Sequence, residues 1–171
     1  MTRYIRLISI VLAASYFWYY ARTYTEWHFI DNVNLIFHEA GHTIFFWLPE
    51  FWGIAAGSIF QASLPLFFAI YFFFHGQRVS GALTLLWVGQ NLLNISVYAG
   101  DAIVMQLPLL GGDSVIHDWN YLLSMMGILR HTPLVAATLY TFGLIVILLG
   151  MVLSLYYAWR ADSEPNGRQI I

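Results

Sequence analysis

Long apolar runs with few charges constrain this chain more than any other feature of its sequence. Hydrophobic residues make up 60% of the 171 residues and charged residues only 9%, whereas a soluble domain carries about 25% charged residues. Only helices and closed barrels satisfy every backbone polar group in lipid, and the runs show no period-two alternation. The sequence therefore predicts an all-α membrane protein.

The runs predict a polytopic transmembrane helical bundle with about five or six membrane helices, since one crossing needs about 20 mainly apolar residues. The predicted spans are about Tyr4 to Ala21, Val33 to Leu48, Gly53 to Phe74, Val79 to Ala99 and Leu134 to Trp159. A shorter helix from His117–Asp118 to about Arg130 counts as a sixth crossing only if it is long enough. We expect residues 1–160 to form a single transmembrane domain and residues 161–171 to form a polar, disordered tail.

Charge and cysteine content exclude several classes of function. The net charge is −2 and no basic stripe is present, so nucleic acid is not an expected partner. The chain has no cysteine, which excludes disulfides, thiolate catalysis and cysteine-ligated zinc. The expected surroundings are a lipid bilayer, and the compact size favours a prokaryotic plasma membrane. The oligomeric state stays open.

One motif in the second run carries chemistry. The segment His38-Glu39-Ala40-Gly41-His42 matches the pattern H-E-x-x-H. Residues at i and i+4 share one helical face, so the two imidazoles can bind one zinc ion. Glu39 is then placed to act as general base toward an attacking water molecule. Asp31 or Asn32 is predicted to cap this helix.

The alternative is that these side chains only make a polar contact between helices. Three ionisable residues within five positions of an apolar helix are costly, however, and a cation among them offsets the cost. The sequence therefore favours a Zn²⁺ site. Gly41 leaves room for a close neighbour, which can be a packed helix or a substrate backbone.

Two histidines leave a catalytic zinc one protein ligand short. His117 and Asp118 follow a Gly-Gly pair and open an apolar helix, and either can be the third ligand. If His117 binds, Asp118 is its hydrogen-bond partner or the helix cap; if Asp118 binds, His117 can hold substrate. Asp101 is the reserve ligand, and the alternative is an ordinary Asp cap with a histidine beside it.

Carboxamides in the fourth run are candidate substrate-binding residues. Gln90 and Asn94 are four positions apart and share a face, and Asn91 lies between them. They can donate to the backbone of an unwound peptide, as can Gln61 and Ser63 in the third run. The alternative is that they bond to other helices.

On these residues the chain resembles the site-2 protease family of intramembrane zinc metalloproteases. The resemblance rests on His38-Glu39-Ala40-Gly41-His42 within an apolar helix and on Asp118 at the head of a later one. It implies that His38, His42 and Asp118 bind zinc and that Glu39 is the catalytic base. It also implies a membrane-spanning or membrane-adjacent protein substrate. The family's Asn-Pro-Asp-Gly type segment is absent, and Ile116-His117-Asp118-Trp119 stands in its place.

The leading functional hypothesis is therefore peptide-bond hydrolysis by a membrane zinc metallopeptidase. The alternative is a non-enzymatic, zinc-stabilised scaffold or complex subunit, whose zinc would be closed by four protein ligands. A channel or transporter with a polar path along the fourth helix has less support, because the sequence shows no internal repeat.

Overall fold

The computed structural model describes residues 3–108 and 116–163, and within these ranges the chain is all-helical. The helices are α1 Arg3–Arg22, α2 Phe29–Ile44, α3 Glu50–Phe74, α4 Arg78–Gly100, α5 Asp118–Met125 and α6 Thr132–Ser163, with a 3₁₀ turn at Leu129–His131. The all-α prediction is confirmed. Of the tail predicted at 161–171, the first three residues continue α6 and residues 164–171 lie outside the described ranges.

Two helical segments in the described part of the chain are long and apolar enough to cross a membrane. They are Glu50–Phe74 and Leu129–Ala161, with 25 and 33 residues. By contrast, α2 has 16 residues and α5 has 8. At 1.5 Å per residue, α5 is about 12 Å long, against a hydrocarbon core of about 30 Å. It is therefore too short to supply the sixth crossing that the sequence left open.

The α2 helix begins about one turn earlier than the sequence predicted. His28 is the N-cap, and its backbone N–H donates to the Asp31 carboxylate at 2.7 Å. The predicted cap at Asp31 or Asn32 is therefore wrong, because Asp31 lies inside the first turn and reaches back to the cap. His38 is ten residues past the cap, about 15 Å along the helix.

The α5 helix ends five residues before the predicted boundary at Arg130. Gly127 has a φ of 68°, a left-handed conformation that ends a helix readily at glycine. Pro133 is the second residue of α6. Proline fits there because the first turn of a helix needs no backbone donor from it.

The α4 helix is central to the packing. It packs on α6, α3 and α1, while α2 packs on α3, and α5 lies against α3 and α4. The buried apolar cluster is made of Tyr20, Ala21, Leu86, Leu93 and Ile147. At the crossing of α4 and α6, a Cβ added to Gly89 would lie 2.5 Å from the Gly143 carbonyl oxygen. This close apolar contact leaves the polar face of α4 to meet α2 and α3.

Candidate metal centre

Three donor atoms converge between α2 and the first residue of α5. The Asp118 Oδ2 atom lies 2.8 Å from His38 Nε2 and 3.1 Å from His42 Nε2, and the two Nε2 atoms are 3.1 Å apart. Tetrahedral ligands at zinc bond lengths of about 2.0–2.1 Å are about 3.3 Å from one another. The donor triangle is therefore close to the size that a small metal ion requires, and these three residues could hold one.

The outer nitrogens of both imidazoles face oxygen acceptors. His38 Nδ1 lies 3.3 Å from Gln61 Oε1, and His42 Nδ1 lies 2.9 Å from the Gly53 carbonyl oxygen. An amide or carbonyl oxygen can only accept, so each Nδ1 carries a proton, and in a neutral imidazole each Nε2 then presents a lone pair. Two such lone pairs and a carboxylate oxygen face one another, an arrangement that a cation between them would stabilise.

Glycines let the ligand helix lie against the backbone of α3. A Cβ added to Gly41 would clash with the Ala56 carbonyl, so α2 and α3 cross at backbone contact. A Cβ added to Gly57 would lie 2.5 Å from His42 Nε2 and 2.7 Å from His38 Nε2. Both glycines are therefore required by space, and Gly41 takes the helix-packing role.

A cavity of about 510 Å³ opens beside the donor group. Its wall is formed by Tyr24, Thr25, Glu26, Trp27, Asp31, Leu35, His38, Glu39, Gln61, Asn94, Val97, Tyr98, Leu107 and Pro108. Glu39 is exposed, and its carboxylate accepts no hydrogen bond from the described residues. The Tyr98 hydroxyl accepts from the Asp118 backbone N–H at 3.2 Å. The cavity thus brings an unengaged carboxylate and a phenol next to the donor group.

His117, which the sequence also offered as a ligand, lies apart from the donor group. Its Nδ1 accepts from the Asn120 backbone N–H at 3.3 Å, so it caps α5, and its Nε2 lies 3.3 Å from Asp101 Oδ2. Asp101 also accepts from the backbone N–H groups of Gln106 and Leu107, at 3.0 and 2.9 Å. His117 and the reserve ligand Asp101 therefore pair with each other, and Asp118 joins the two histidines.

The predicted substrate-binding carboxamides divide between the cavity and the interior. Asn94 lines the cavity, whereas Gln90 and Asn91 are fully buried and do not. Gln90 and Asn94 both donate to Asp31 Oδ1 at 3.0 Å, which confirms that they share a face. Asn91 donates to the Trp87 carbonyl at 3.0 Å. Their hydrogen bonds are thus the interhelical and local ones of the alternative interpretation.

In the third run, Gln61 lines the cavity and Ser63 is exposed away from it. Gln61 already has two partners, because it accepts from His38 and donates to Asn94 at 2.8 Å. It therefore contacts a candidate ligand, and its contact with a substrate backbone stays a prediction.

Sequence reasoning missed the importance of Asp31, Asn34 and Tyr98. Asp31 is 2% exposed and Asn34 is fully buried, and both lie on the face of α2 that carries His38. The spacing of three and four residues between these positions was visible in the sequence, and it is the spacing of one helical face. Tyr98 gave no comparable signal, because its place beside Asp118 depends on the tertiary fold.

The chain matches no protein-family model, no curated protein and no solved structure.

Proposed function

We propose that this protein is an intramembrane zinc metalloprotease that hydrolyses a peptide bond in or near the membrane. The observation that carries the proposal is the convergence of His38, His42 and Asp118 beside a cavity that Glu39 also lines. The four residues are those that the H-E-x-x-H pattern and the later Asp assign to such a site. The convergence of three of them and the place of Glu39 in the cavity wall support these roles.

The chemistry of the donor set favours zinc. Two imidazoles and one carboxylate are a common protein ligand set for catalytic zinc, which keeps its fourth position for water or substrate. A structural zinc would need a fourth protein ligand, and His117 is paired with Asp101 instead. This arrangement supports the enzyme over the zinc-stabilised scaffold.

Bound at this site, zinc would polarise the scissile carbonyl and make a water molecule more acidic. Glu39 takes the proton of the attacking water and then delivers it to the leaving nitrogen. Its carboxylate is available because it has no hydrogen bond from the described residues. The Tyr98 hydroxyl lines the same cavity and can donate to the substrate carbonyl oxygen.

The exposed apolar surface supports a multi-pass membrane location. In an apolar 18-residue stretch of each candidate span, α3 and the 129–161 segment, only 33% and 17% respectively is buried within the chain. The core helix of a soluble protein would bury most of its surface, and exposed apolar area of this extent is typical of contact with lipid. The largest exposed apolar side chains of α1 and α6 include Tyr4, Ile5, Val11, Leu12, Leu134, Phe142, Ile145, Val152 and Trp159.

The proposed substrate is a membrane-spanning or membrane-adjacent polypeptide that enters the cavity as an unwound strand. A peptide bond in a regular helix is not accessible to an attacking water, so the strand must leave its helix before cleavage. Apolar residues of the cavity, such as Leu35, Val97 and Leu107, suit the side chains of such a segment.

The test uses the full chain purified in detergent micelles. Its zinc content is measured by elemental analysis, and its hydrolytic activity is measured with a quenched fluorescent library of mixed-sequence apolar peptides. We expect about one zinc per chain, as for a mononuclear site, and cleavage that Glu39→Gln slows about 10²- to 10⁴-fold. Wild-type protein that folds but binds no zinc, or a Glu39→Gln protein that cleaves at the wild-type rate, would refute the proposal.

A further inference from the structure

A buried chain of side-chain hydrogen bonds connects Asp31 to the candidate ligand His38. Asn94 donates to Asp31 Oδ1 at 3.0 Å, Gln61 donates to Asn94 Oδ1 at 2.8 Å, and Gln61 Oε1 faces His38 Nδ1 at 3.3 Å. We name these three links the histidine branch. It crosses from α2 through α4 and α3 and returns to α2.

The carboxylate at the end of this branch decides which group donates in each of its hydrogen bonds. A carboxylate only accepts, so Asn94 must turn its NH₂ group toward Asp31 and its oxygen toward Gln61. Gln61 must then turn its own NH₂ group toward Asn94 and its oxygen toward His38. Among the described residues, the partner of that oxygen is His38 Nδ1, which must carry a proton. In a neutral imidazole Nε2 is then unprotonated, and it faces His42 and Asp118.

A second branch fixes the acceptor role of Asp31 independently. The Trp87 indole N–H, which can only donate, binds Asn34 Oδ1 at 3.2 Å, and Asn34 donates to Gln90 Oε1 at 2.9 Å. Gln90 then donates to Asp31 Oδ1 at 3.0 Å. We name these links the tryptophan branch. Starting from the Trp87 donor, each amide in turn accepts one hydrogen bond and donates the next, and the last one donates to Asp31. Both branches therefore require Asp31 to be the acceptor.

The remaining contacts of Asp31 are donors as well. The Tyr20 hydroxyl binds Oδ1 at 2.8 Å, and the His28 backbone N–H binds Oδ2 at 2.7 Å. Asp31 is 2% exposed and Gln61 is 3% exposed. Buried amides in apolar surroundings are costly to leave unpaired, so neither branch can reverse one link without losing the others.

We infer that Asp31 is a positioning residue that acts through Asn94 and Gln61 to hold His38 in the tautomer whose Nε2 faces the metal. That the partner of Nε2 is zinc rests on the proposed function. Metal-bound histidines are oriented in this way by a partner on the other ring nitrogen, and the loss of such a partner typically weakens metal binding 10- to 100-fold.

The two branches provide a matched pair of variants. Gln61→Leu and Asn34→Leu each remove a buried carboxamide with two side-chain partners, but only Gln61 touches His38. Zinc affinity of the full chain in micelles is measured by competition with a chromophoric chelator. We expect Gln61→Leu to bind zinc about 10- to 100-fold more weakly and Asn34→Leu to keep the wild-type affinity.

A second readout follows the tautomer without metal. In zinc-free protein labelled with ¹⁵N-histidine, at a pH where the imidazoles are neutral, we expect His38 to carry its proton on Nδ1. The resonance is assigned by its loss in His38→Gln. Gln61→Leu should lower the population protonated at Nδ1, and Asn34→Leu should leave it unchanged.

Each outcome decides a different claim. Equal loss of zinc affinity in both leucine variants, or none in Gln61→Leu, overturns the inference. If Gln61→Leu does not fold, the wild-type spectrum decides, because a His38 protonated at Nε2 contradicts the branch. A wild type that binds no zinc but shows the Gln61-dependent tautomer refutes the proposed function and leaves the orienting role of the histidine branch intact.

Discussion

Two groups of acid and imidazole lie at the head of α5, and the adjacent residues His117 and Asp118 belong to different ones. Asp118 joins His38 and His42, while His117 joins Asp101. In the second group the lone pairs already have donors, because Asp101 accepts two backbone N–H groups and His117 Nδ1 accepts another. In the first group the lone pairs face one another. The two groups share the same residue types, so it is the lone pairs without a donor that distinguish the candidate metal centre from the second group.

Removing one imidazole from each group tests most directly whether the two groups are separate. We expect His42→Ala to lose nearly all bound zinc, because two protein ligands remain where a catalytic zinc takes three. His117→Ala should keep about one zinc per chain. Elemental analysis of the purified proteins measures both, and loss of zinc from His117→Ala would show that the two groups are one site.

The role of Glu39 separates catalysis from metal binding. Removing a general base typically lowers the rate about 10²- to 10⁴-fold, so we expect a loss of this size in Glu39→Gln with unchanged zinc content. Peptide hydrolysis is measured alongside elemental analysis. A Glu39→Gln protein that loses its zinc would contradict this division, because Glu39 would then be a ligand.

Filling the space beneath the imidazoles should weaken zinc binding by the first group without changing any ligand. The Cβ of Gly57→Ala would lie 2.5 Å from His42 Nε2, so the donors must move apart. We expect at least about tenfold weaker zinc binding, as for the loss of an orienting contact. Gly53→Ala is the matched control on the same helix, since its Cβ would meet nothing closer than 3.8 Å. Equal zinc affinities in these two variants would contradict the tight fit.

Substitutions in the second group should lower the stability of the fold and leave zinc binding unchanged. Asp101→Ala leaves the N–H groups of Gln106 and Leu107 and the His117 ring without their acceptor, and the loss of such exposed or part-buried bonds costs about 0.5–1.5 kcal/mol. Thermal unfolding in micelles should therefore begin at a lower temperature, with zinc content retained. Asp101→Asn, which keeps one acceptor oxygen, should be intermediate. Wild-type stability of Asp101→Ala would be the contrary result.

The local part of the site could be predicted from the sequence, because one helix carries it. The spacing of His38 and His42 brings their rings together on any straight helix. Asp118 was one of two candidates at the head of a helix. Consecutive residues there point about 100° apart, so the orientation of α5 against α3 and α4 decides which one reaches α2, and that is a tertiary property.

The network around Asp31 could not be predicted, since its links join residues far apart in sequence. Asp31 was interpreted as a helix cap from its residue type, whereas its partners Gln90 and Asn94 are 59 and 63 positions away. The end of α5 could have been predicted more closely, because glycine commonly ends helices and the prediction did not use Gly127.

The glycines at the crossing of α2 and α3 have a consequence for which cations can enter. Because the backbone of α3 lies directly beneath the two imidazoles, neither ring can move toward α3 unless the two helices separate. Calcium needs six to eight oxygen ligands at about 2.3–2.6 Å, and this triangle offers one oxygen and two nitrogens. A cation bound here would thus be selected by the number and type of donors, and the contact between α2 and α3 would limit how far the two imidazoles can retreat from it.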